Sequence, residues 1–217
     1  NAWTGVILWG QATGDRQLRD LGIYLYTTEL AAINAYWFDV EQKFFPKKYT
    51  QSCAALVWGG KADYGTWFSG EPEHIHGIIM LPMQSGSLYL GLYPKYVQRN
   101  LKHMASIRGG YKWKHWHDAF WMYEALHDAD KAMARFDAGV KKTPLHSRAN
   151  TYHWIGNLQV LGQVDRTMNA DCPTAITFTN NGKRKHVAWN MTQRTVTVKF
   201  SDGVSMEVKP GKCETKP

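Results

Sequence analysis

The sequence predicts a mainly helical chain that ends in a small antiparallel β segment. Two observations support this prediction. From residue 2 to about residue 162, apolar residues recur at helical spacing in several segments. From about residue 172 onward, apolar and polar residues alternate, and the turn signals NNG and SDG separate the alternating runs. We therefore predict a helical domain over residues 1–165 and C-terminal β strands over residues 166–217.

Two helices are predicted at the start of the chain. Residues 2–11 are largely apolar and end at the turn ATGD. Residues 15–38 follow, with Asp15 as a suitable N-cap and with apolar residues at helical spacing along one face. The residues of that face are Leu18, Leu21, Leu25, Leu30, Ile33 and Trp37.

Further helices are predicted after an irregular region. Residues 39–92 contain many glycine, proline and aromatic residues, and long irregular loops in compact domains are usually functional. Asp128 is suited to cap one of the later helices. Helical patterning returns at about 85–107, 116–126, 128–138 and 150–162.

Four short strands are predicted near the C-terminus. Their sequences are AITFT, KHVAW, TVTVKF and VSMEVK. Because four strands with one exposed apolar face rarely form a stable unit alone, we expect them to pair with a sheet from outside this chain.

Composition and charge indicate a globular protein and argue against two classes of partner. Hydrophobic residues make up 44% of the chain and the formal net charge is +8. A basic protein can bind nucleic acid, but here the charges are scattered, and the densest cluster, KRK at residues 183–185, lies at a turn where such runs are usually solvated. We therefore predict no nucleic-acid partner. No run of about 18 apolar residues occurs, so no membrane partner is predicted either.

The cysteines and the first residues bear on the compartment and on the extent of the chain. The chain has three cysteines, Cys53, Cys172 and Cys213, and they lack metal-ligand spacing. An odd number of cysteines does not describe a disulfide framework, but three cysteines could form one bridge and leave one free thiol. The chain opens with NAWTGVILWGQATGD, without Met or a charged n-region, so this is not a signal peptide. We expect the chain to be part of a longer protein.

The stretch EPEHIHG contains two histidines, His74 and His76, two residues apart. On a strand they would point the same way and could bind one metal ion, but such a site needs a third ligand and usually a carboxylate. Residues 114–118, KHWHD, contain a second pair with the same spacing. Hydrogen-bonded or surface histidines are the favoured explanation of both pairs, and we predict no metal site.

Several carboxylates are candidates for a glycosidase acid or base, which work in pairs. Glu29 lies in a predicted helix among apolar residues, where burial would raise its pKa. Asp63 lies in the aromatic loop WGGKADYGTWF and fits either a sugar-hydroxyl acceptor or an ordinary turn residue. The others are Asp39, Glu71, Glu73 and Asp118. The sequence contains no GxSxG motif, P-loop or dinucleotide fingerprint, and no cofactor is predicted.

Several long motifs together resemble the catalytic region of glycoside hydrolase family 81, the endo-β-1,3-glucanases or laminarinases. These motifs are ATGDRQLRDLGIYLYTTELAAINAYWFDV, VWGGKADYGTWFSGEPEHIHGIIMLP, GSLYLG and NTYHWIGNLQVLG, and the final strands resemble the family's closing strands. The resemblance runs in order from near Asn1 to near Gly211. It implies an (α/α)6 toroid, of which residues 1–165 form the second part, and a flanking β-sandwich that the last strands complete.

The resemblance also implies an inverting mechanism with an Asp acid and a Glu base. In the family, the important glutamates lie in a Glu-Ser-Ser-Ser-Glu-Ala type motif that stands just before the position of Asn1, and the acid lies further upstream. We therefore assign no catalytic residue to this chain and expect it to form one wall of the substrate groove, beside a missing N-terminal part of the same protein. The polymeric substrate implies secretion to the extracellular space.

The resemblance points to candidate residues for holding glucan. His76 matches the family's single His before Gly, whereas His74 departs from the pattern, which argues against a metal pair. An aromatic loop suits a neutral sugar polymer, because aromatic faces stack on sugar rings while polar groups bond to hydroxyls. For each candidate, packing in the core or the loop is the alternative. The candidates are Trp58, Asp63, Tyr64, Trp67, His76, Tyr152 and His153.

Three hypotheses for function follow. The first is endo-hydrolysis of β-1,3-glucan by a longer protein of which this chain is the C-terminal part. The second is a non-catalytic β-1,3-glucan-binding module, motivated by the aromatic loop and the missing carboxylates. The third, a nucleic-acid binder with a metal site at the paired histidines, is the weakest because the charge is scattered.

Overall fold

The computed structural model describes residues 2–55, 64–139 and 141–217. Helices occupy most of the described chain before residue 162, and short strands follow, as the sequence predicts. The chain divides into two compact units, one formed by Asn1–Glu29 with Val160–Pro217 and the other by Leu30–Gln159. The boundary near residue 165 between a toroid and closing strands stays a prediction.

The helices agree with the predicted ones, with one addition. The structure adds α3 (Pro72–Ile78), which the sequence patterning did not predict. A π-helical turn, Ile33–Trp37, extends α2 (Arg16–Ala32), and a 3₁₀ helix, Ser85–Gly91, precedes α4 (Pro94–Arg108). No helix of the described part is both long and apolar enough to cross a membrane. The helices are α1 (Ala2–Thr13), α2 (Arg16–Ala32), α3 (Pro72–Ile78), α4 (Pro94–Arg108), α5 (His117–Ala125), α6 (Ala129–Ala138) and α7 (Arg148–Leu161).

In the first unit, α1 and α2 form a hairpin of closely packed helices. Asp15 caps α2 as predicted, because its Oδ1 accepts a hydrogen bond of 3.0 Å from the backbone N–H of Leu18. A Cβ added at Gly10 would lie 2.5 Å from the backbone nitrogen of Arg19, so only glycine permits this approach. The predicted apolar face of α2 is not fully covered within the unit, since Leu21 is 51% exposed and the neighbouring Tyr24 is 65% exposed.

The strands form two small antiparallel sheets within the same unit. One sheet has the order β1 (Gln163–Val164), β2 (Ala175–Asn180), β3 (Lys183–Trp189) and β6 (Cys213–Lys216), and the other consists of β4 (Val196–Lys199) and β5 (Ser205–Val208). All four predicted strands occur, while β1 and the polar strand β6 are additional. A shared core joins Ala188 of β3 to Val198 of β4 and to Met206 and Val208 of β5. The strands are β1 (Gln163–Val164), β2 (Ala175–Asn180), β3 (Lys183–Trp189), β4 (Val196–Lys199), β5 (Ser205–Val208) and β6 (Cys213–Lys216).

The second unit is built around α5. Every residue of this helix from Asp118 to Ala125 is buried, so α5 has no polar outer face and is covered by other parts of the unit. Trp154 on α7 donates a hydrogen bond of 2.9 Å from its indole nitrogen to the carbonyl of Met122 on α5. Asp128 caps α6 as predicted, accepting from the backbone N–H of Lys131 at 3.1 Å. Helix α3 with its two histidines lies in the same unit.

Candidate functional site

The two histidines of EPEHIHG lie on a helix, not on a strand. Pro72 occupies the first turn of α3, where its fixed φ and missing N–H are tolerated. Residues two apart on an α-helix are rotated by about 200°, so His74 and His76 face opposite sides. The two histidines therefore do not point the same way, as they would on a strand, and each side chain has its own environment.

His76 points into the core of the unit. Its side chain is fully buried, with Nδ1 lying 2.7 Å from Oδ1 of Asn100 and Nε2 lying 2.5 Å from the hydroxyl of Tyr64. The sulfur of Cys53 lies 3.4 Å from Nδ1. Burial lowers the pKa of His76 to about 3, so the imidazole is neutral. Because no part of its surface is exposed, His76 can influence a ligand in this structure only through a neighbour such as Tyr64.

His74 belongs to an aromatic group that we call the Trp67 cluster. Its members are Trp67, Phe68, His74, His115 and Trp116. The His74 ring centroid lies 4.5 Å from that of His115 and 4.6 Å from that of Trp116. Phe68 joins the ring of Trp67 to that of His74, at centroid distances of 5.2 and 5.6 Å. Trp67 is 72% exposed. The cluster therefore presents an indole to solvent on a support of packed rings.

A cleft adjoins the Trp67 cluster. It has a volume of about 270 Å³ and shares His115 and Trp116 with the cluster. Its other lining residues are Lys114, His117, Lys142 and Pro144. Aromatic walls with a few polar groups suit a sugar, because apolar C–H faces contact the rings while hydroxyls bond to nitrogen and oxygen atoms.

Gly77 makes the position of Trp116 possible. A Cβ added at Gly77 would lie 2.6 Å from ring carbon Cε3 of Trp116 and 3.6 Å from Cζ of Phe120. Trp116 itself has a φ of 48°, an uncommon backbone conformation for a bulky residue. Since Gly77 follows His76 directly, the His-Gly pair positions both the buried network and the exposed cluster.

A buried ion pair fixes the start of α3. Glu73 has no exposed side-chain surface, and both of its carboxylate oxygens accept hydrogen bonds from Arg108 at the end of α4. The backbone N–H of Lys114 donates to the same carboxylate at 3.0 Å. Glu71, which is 43% exposed, pairs with Arg108 as well. Burial alone would raise the pKa of Glu73, but the bonds from Arg108 and Lys114 hold that pKa below its usual value.

The other candidate carboxylates of the described part do not form an exposed acid–base pair. Buried Asp39 accepts hydrogen bonds from the backbone N–H groups of residues 43–45. Buried Asp118 accepts from the backbone N–H and the ring of His146. Glu29, expected among apolar residues, is exposed on α2. These contacts are those of structural carboxylates that close turns and join loops.

Glu124 is a buried carboxylate that sequence patterning did not single out. It pairs with Arg135 of α6. Burial raises the pKa of Glu124, and the ion pair opposes that shift. No group of three or more His, Cys, Asp or Glu side chains that could hold a metal ion occurs in the described ranges.

The remaining candidates lie elsewhere or outside the described residues. Tyr152 is 58% exposed on α7, and its ring centroid lies 6.0 Å from that of Phe136. His153 is exposed beside it, and its carbonyl accepts a hydrogen bond of 2.8 Å from Asn157. Trp58 and Asp63 fall in the range 56–63, which is outside the described residues.

The structure adds residues that sequence reasoning did not select. These are Phe68, Asn100, Arg108 and Trp116, and the last three connect α3 to segments that are far away in the chain. Trp116 stands between the two histidines of KHWHD, so this second histidine pair was a visible signal for the cluster. Nothing in the sequence marks Asn100, because its role depends on the approach of α4 to α3.

Comparisons with known proteins agree on one family. Residues 1–155 match the family model described as the glycosyl hydrolase family 81 C-terminal domain. Over 97% of its length the chain is 41% identical to the glucan endo-1,3-beta-D-glucosidase of Acetivibrio thermocellus. Over 96% of its length it is 37% identical to the glucan endo-1,3-beta-D-glucosidase of Thermobifida fusca. The chain spans 27% and 28% of the lengths of these two proteins.

A solved structure shows the same fold. The chain superimposes on the structure of a glycoside hydrolase family 81 protein from Clostridium thermocellum with a TM-score of 0.92 and 39% sequence identity. The superposition covers 99% of this chain and 30% of that one. At 39% sequence identity the similarity indicates a shared family as well as a shared fold.

Proposed function

Because the chain belongs to glycosyl hydrolase family 81, we propose that the protein hydrolyses internal bonds of β-1,3-glucan in laminarin-like polysaccharides. The observation that carries this proposal is the match of nearly the whole chain to proteins named glucan endo-1,3-beta-D-glucosidase, at 41% and 37% identity. The exposed aromatic residues of the Trp67 cluster support it, since they suit a neutral polymer. The protein acts outside the cell, where such polymers occur.

In this proposal the chain contributes one wall of the substrate groove. The buried carboxylates of the described part are engaged in structural contacts, so the acid and the base come from a further segment of the same protein. Together they perform an inverting hydrolysis, in which the acid protonates the leaving oxygen and the base activates a water. The helices form part of an (α/α)6 toroid, and the C-terminal strands complete a β-sandwich.

The exposed aromatic residues make the contacts with glucan. Trp67 supplies the most exposed ring of its cluster and stacks on a sugar face. Tyr64, which is partly exposed and lies three residues before Trp67 in the sequence, offers a hydroxyl. Trp58 and Asp63, which lie outside the described residues, are further proposed contacts. Tyr152 and His153 of α7 provide a second contact.

Assay of the full-length gene product on laminarin tests the activity. Endo-hydrolysis releases a ladder of oligosaccharides, and proton NMR during the first minutes shows products with the anomeric configuration opposite to that of the substrate. Release of glucose alone would exclude internal cleavage. Products that retain the configuration would exclude the inverting mechanism but not the hydrolysis.

A second candidate function is a non-catalytic β-1,3-glucan-binding module. The observation that favours it is the combination of an exposed aromatic cluster with buried carboxylates that are held in structural contacts. Laminarin binding measured by calorimetry, together with absence of any hydrolysis by the full-length gene product, would favour this candidate over the first.

Replacing Trp67 with alanine is expected to weaken laminarin binding about tenfold, the loss typical of removing a central aromatic contact. The stability of the protein should change little, because 72% of the side chain is already exposed. Trp9, which is 65% exposed on α1, provides the matched control. Calorimetric titration of Trp67→Ala and Trp9→Ala with laminarin measures the effect. An unchanged affinity of Trp67→Ala would show that Trp67 does not contact laminarin.

A further inference from the structure

His76 lies in a chain of hydrogen bonds that leads from the core to Tyr64. Asn100 Nδ2 donates to the hydroxyl of Tyr123 at 3.3 Å. Asn100 Oδ1 accepts from Oγ of Ser52 at 2.7 Å and lies 2.7 Å from Nδ1 of His76. At the other side of the imidazole ring, Nε2 lies 2.5 Å from the hydroxyl of Tyr64. Tyr64 is partly exposed, whereas the other four side chains are buried.

The donors and acceptors in this series of hydrogen bonds fix the position of the proton on the His76 ring. A carbonyl oxygen only accepts, so the nitrogen of His76 that faces Asn100 Oδ1 must carry the proton. Burial lowers the pKa of His76 to about 3, so the ring is neutral and carries no second proton. Nε2 therefore has a free lone pair, and the hydroxyl of Tyr64 donates its single hydrogen to it.

We propose that Asn100 and His76 are positioning residues that turn the Tyr64 hydroxyl into an acceptor-only group for glucan. With its hydrogen committed to Nε2, the Tyr64 oxygen can accept a hydrogen bond from a sugar hydroxyl but cannot donate one. This position therefore selects a ligand that presents a free hydroxyl and disfavours one that presents an ether oxygen or a carbonyl. The inference rests on the proposed contact between Tyr64 and glucan.

Near pH 7 the groups around His76 do not disturb this direction of the hydrogen bond. The groups that face His76 are Cys53, Glu73 and His103. Burial raises the pKa of the Cys53 thiol and lowers that of His103, so both are neutral near pH 7. The charge of Glu73 is compensated by Arg108. Burial also raises the pKa of Tyr64, so neither partner of the hydrogen bond is ionised near pH 7.

Nitrogen NMR of the histidine rings tests the direction of the bond without any ligand. The chemical shift distinguishes a protonated ring nitrogen from an unprotonated one, and the variant His76→Gln assigns the resonances of this residue by their loss. The expected result is a protonated Nδ1 and an unprotonated Nε2. A protonated Nε2 would overturn the proposal, because His76 would then donate to Tyr64 and leave its hydrogen free for a ligand.

A double-mutant cycle on laminarin affinity tests the consequence for binding. Tyr64→Phe removes only the hydroxyl and is expected to weaken binding about fivefold, the value of one neutral hydrogen bond. His76→Leu removes the acceptor and should cost a similar factor, whereas His76→Gln keeps an amide oxygen near Nε2 and should recover most of it. The double variant Tyr64→Phe with His76→Leu should bind no more weakly than the single ones. Additive losses would show that His76 acts through packing alone and would contradict the proposal.

The two experiments separate this inference from the proposed function. If Nε2 is unprotonated but the unaltered protein does not bind laminarin, the glucan function and the sugar contact of Tyr64 both fail, while the direction of the hydrogen bond stands. If the protein binds laminarin but Nε2 is protonated, the glucan function stands and the acceptor-only role fails.

Discussion

Replacing Glu73 with glutamine is expected to lower the free energy of unfolding by about 3–5 kcal/mol, the cost of removing one partner from a buried ion pair. The carboxylate has no exposed side-chain surface and accepts hydrogen bonds from Arg108 and from the backbone N–H of Lys114. A neutral amide leaves the guanidinium, which is only 13% exposed, without its buried counter-ion. Chemical denaturation of the variant measures the loss.

The control for this prediction is Glu71→Gln. Glu71 binds the same guanidinium, but 43% of its side chain is exposed, so water screens the pair and can replace it. We expect little change in stability. A loss as large as that of Glu73→Gln would show that the two carboxylates act as one unit and would contradict the distinction drawn from burial.

The same ion pair predicts how stability depends on pH. The pKa of Glu73 is lowered in the folded protein, so the unfolded chain binds the proton more tightly. The contribution of Glu73 is therefore fully present above the usual pKa of a glutamate and disappears as the pH falls through the lower folded value. In Glu73→Gln this part of the acid destabilisation should be absent, which denaturation at several acidic pH values can measure.

Replacing Gly10 with alanine should cost about 3 kcal/mol of stability, the upper range for overpacking. The added Cβ would lie 2.5 Å from the nitrogen and 2.7 Å from the Cα of Arg19, and backbone atoms cannot turn away as a flexible side chain can. The α1–α2 hairpin must separate to accept the methyl group. This loss exceeds the gain of about 1 kcal/mol that alanine brings to a helix interior.

Gly5→Ala provides a matched control on the same helix. A Cβ added at Gly5 meets no atom within 4 Å, so only the helix propensity changes. We expect a gain of about 0.5–1 kcal/mol. Thermal denaturation of both variants should therefore give shifts of opposite sign, and a destabilised Gly5→Ala protein would contradict the packing described for α1.

The fold was predictable where the hydrophobic period is long and the ends are marked. The helix that begins after Asp15 and the helix capped by Asp128 follow from spacing and capping residues alone. Helix α3 was not predicted because it has only seven residues and lies among loop-forming residues, although Pro72 at its start is a helix signal. Strand β6 was not predicted because all four of its residues are exposed and show no alternation.

The candidate site was predictable only in part, because its contacts join distant segments. The sequence directed attention to His74, His76 and Trp67, but it could not show that the two histidines face opposite sides of a helix. The partner of His76, Asn100, lies 24 residues away on α4, where only packing determines its neighbour. The ion pair of Glu73 with Arg108 spans 35 residues for the same reason.

The most direct test of the proposed function is to measure laminarin binding and laminarin hydrolysis on the 217-residue protein in the same preparation. Calorimetry gives the affinity, and chromatography of the oligosaccharides gives the hydrolysis. We expect binding that depends on Trp67, without release of oligosaccharides, because in the proposed function the chain supplies a wall of the groove and a further segment supplies the acid and the base. Hydrolysis by this chain alone would contradict the proposal that the acid and the base lie in a further segment, and absence of binding would contradict the proposed surface.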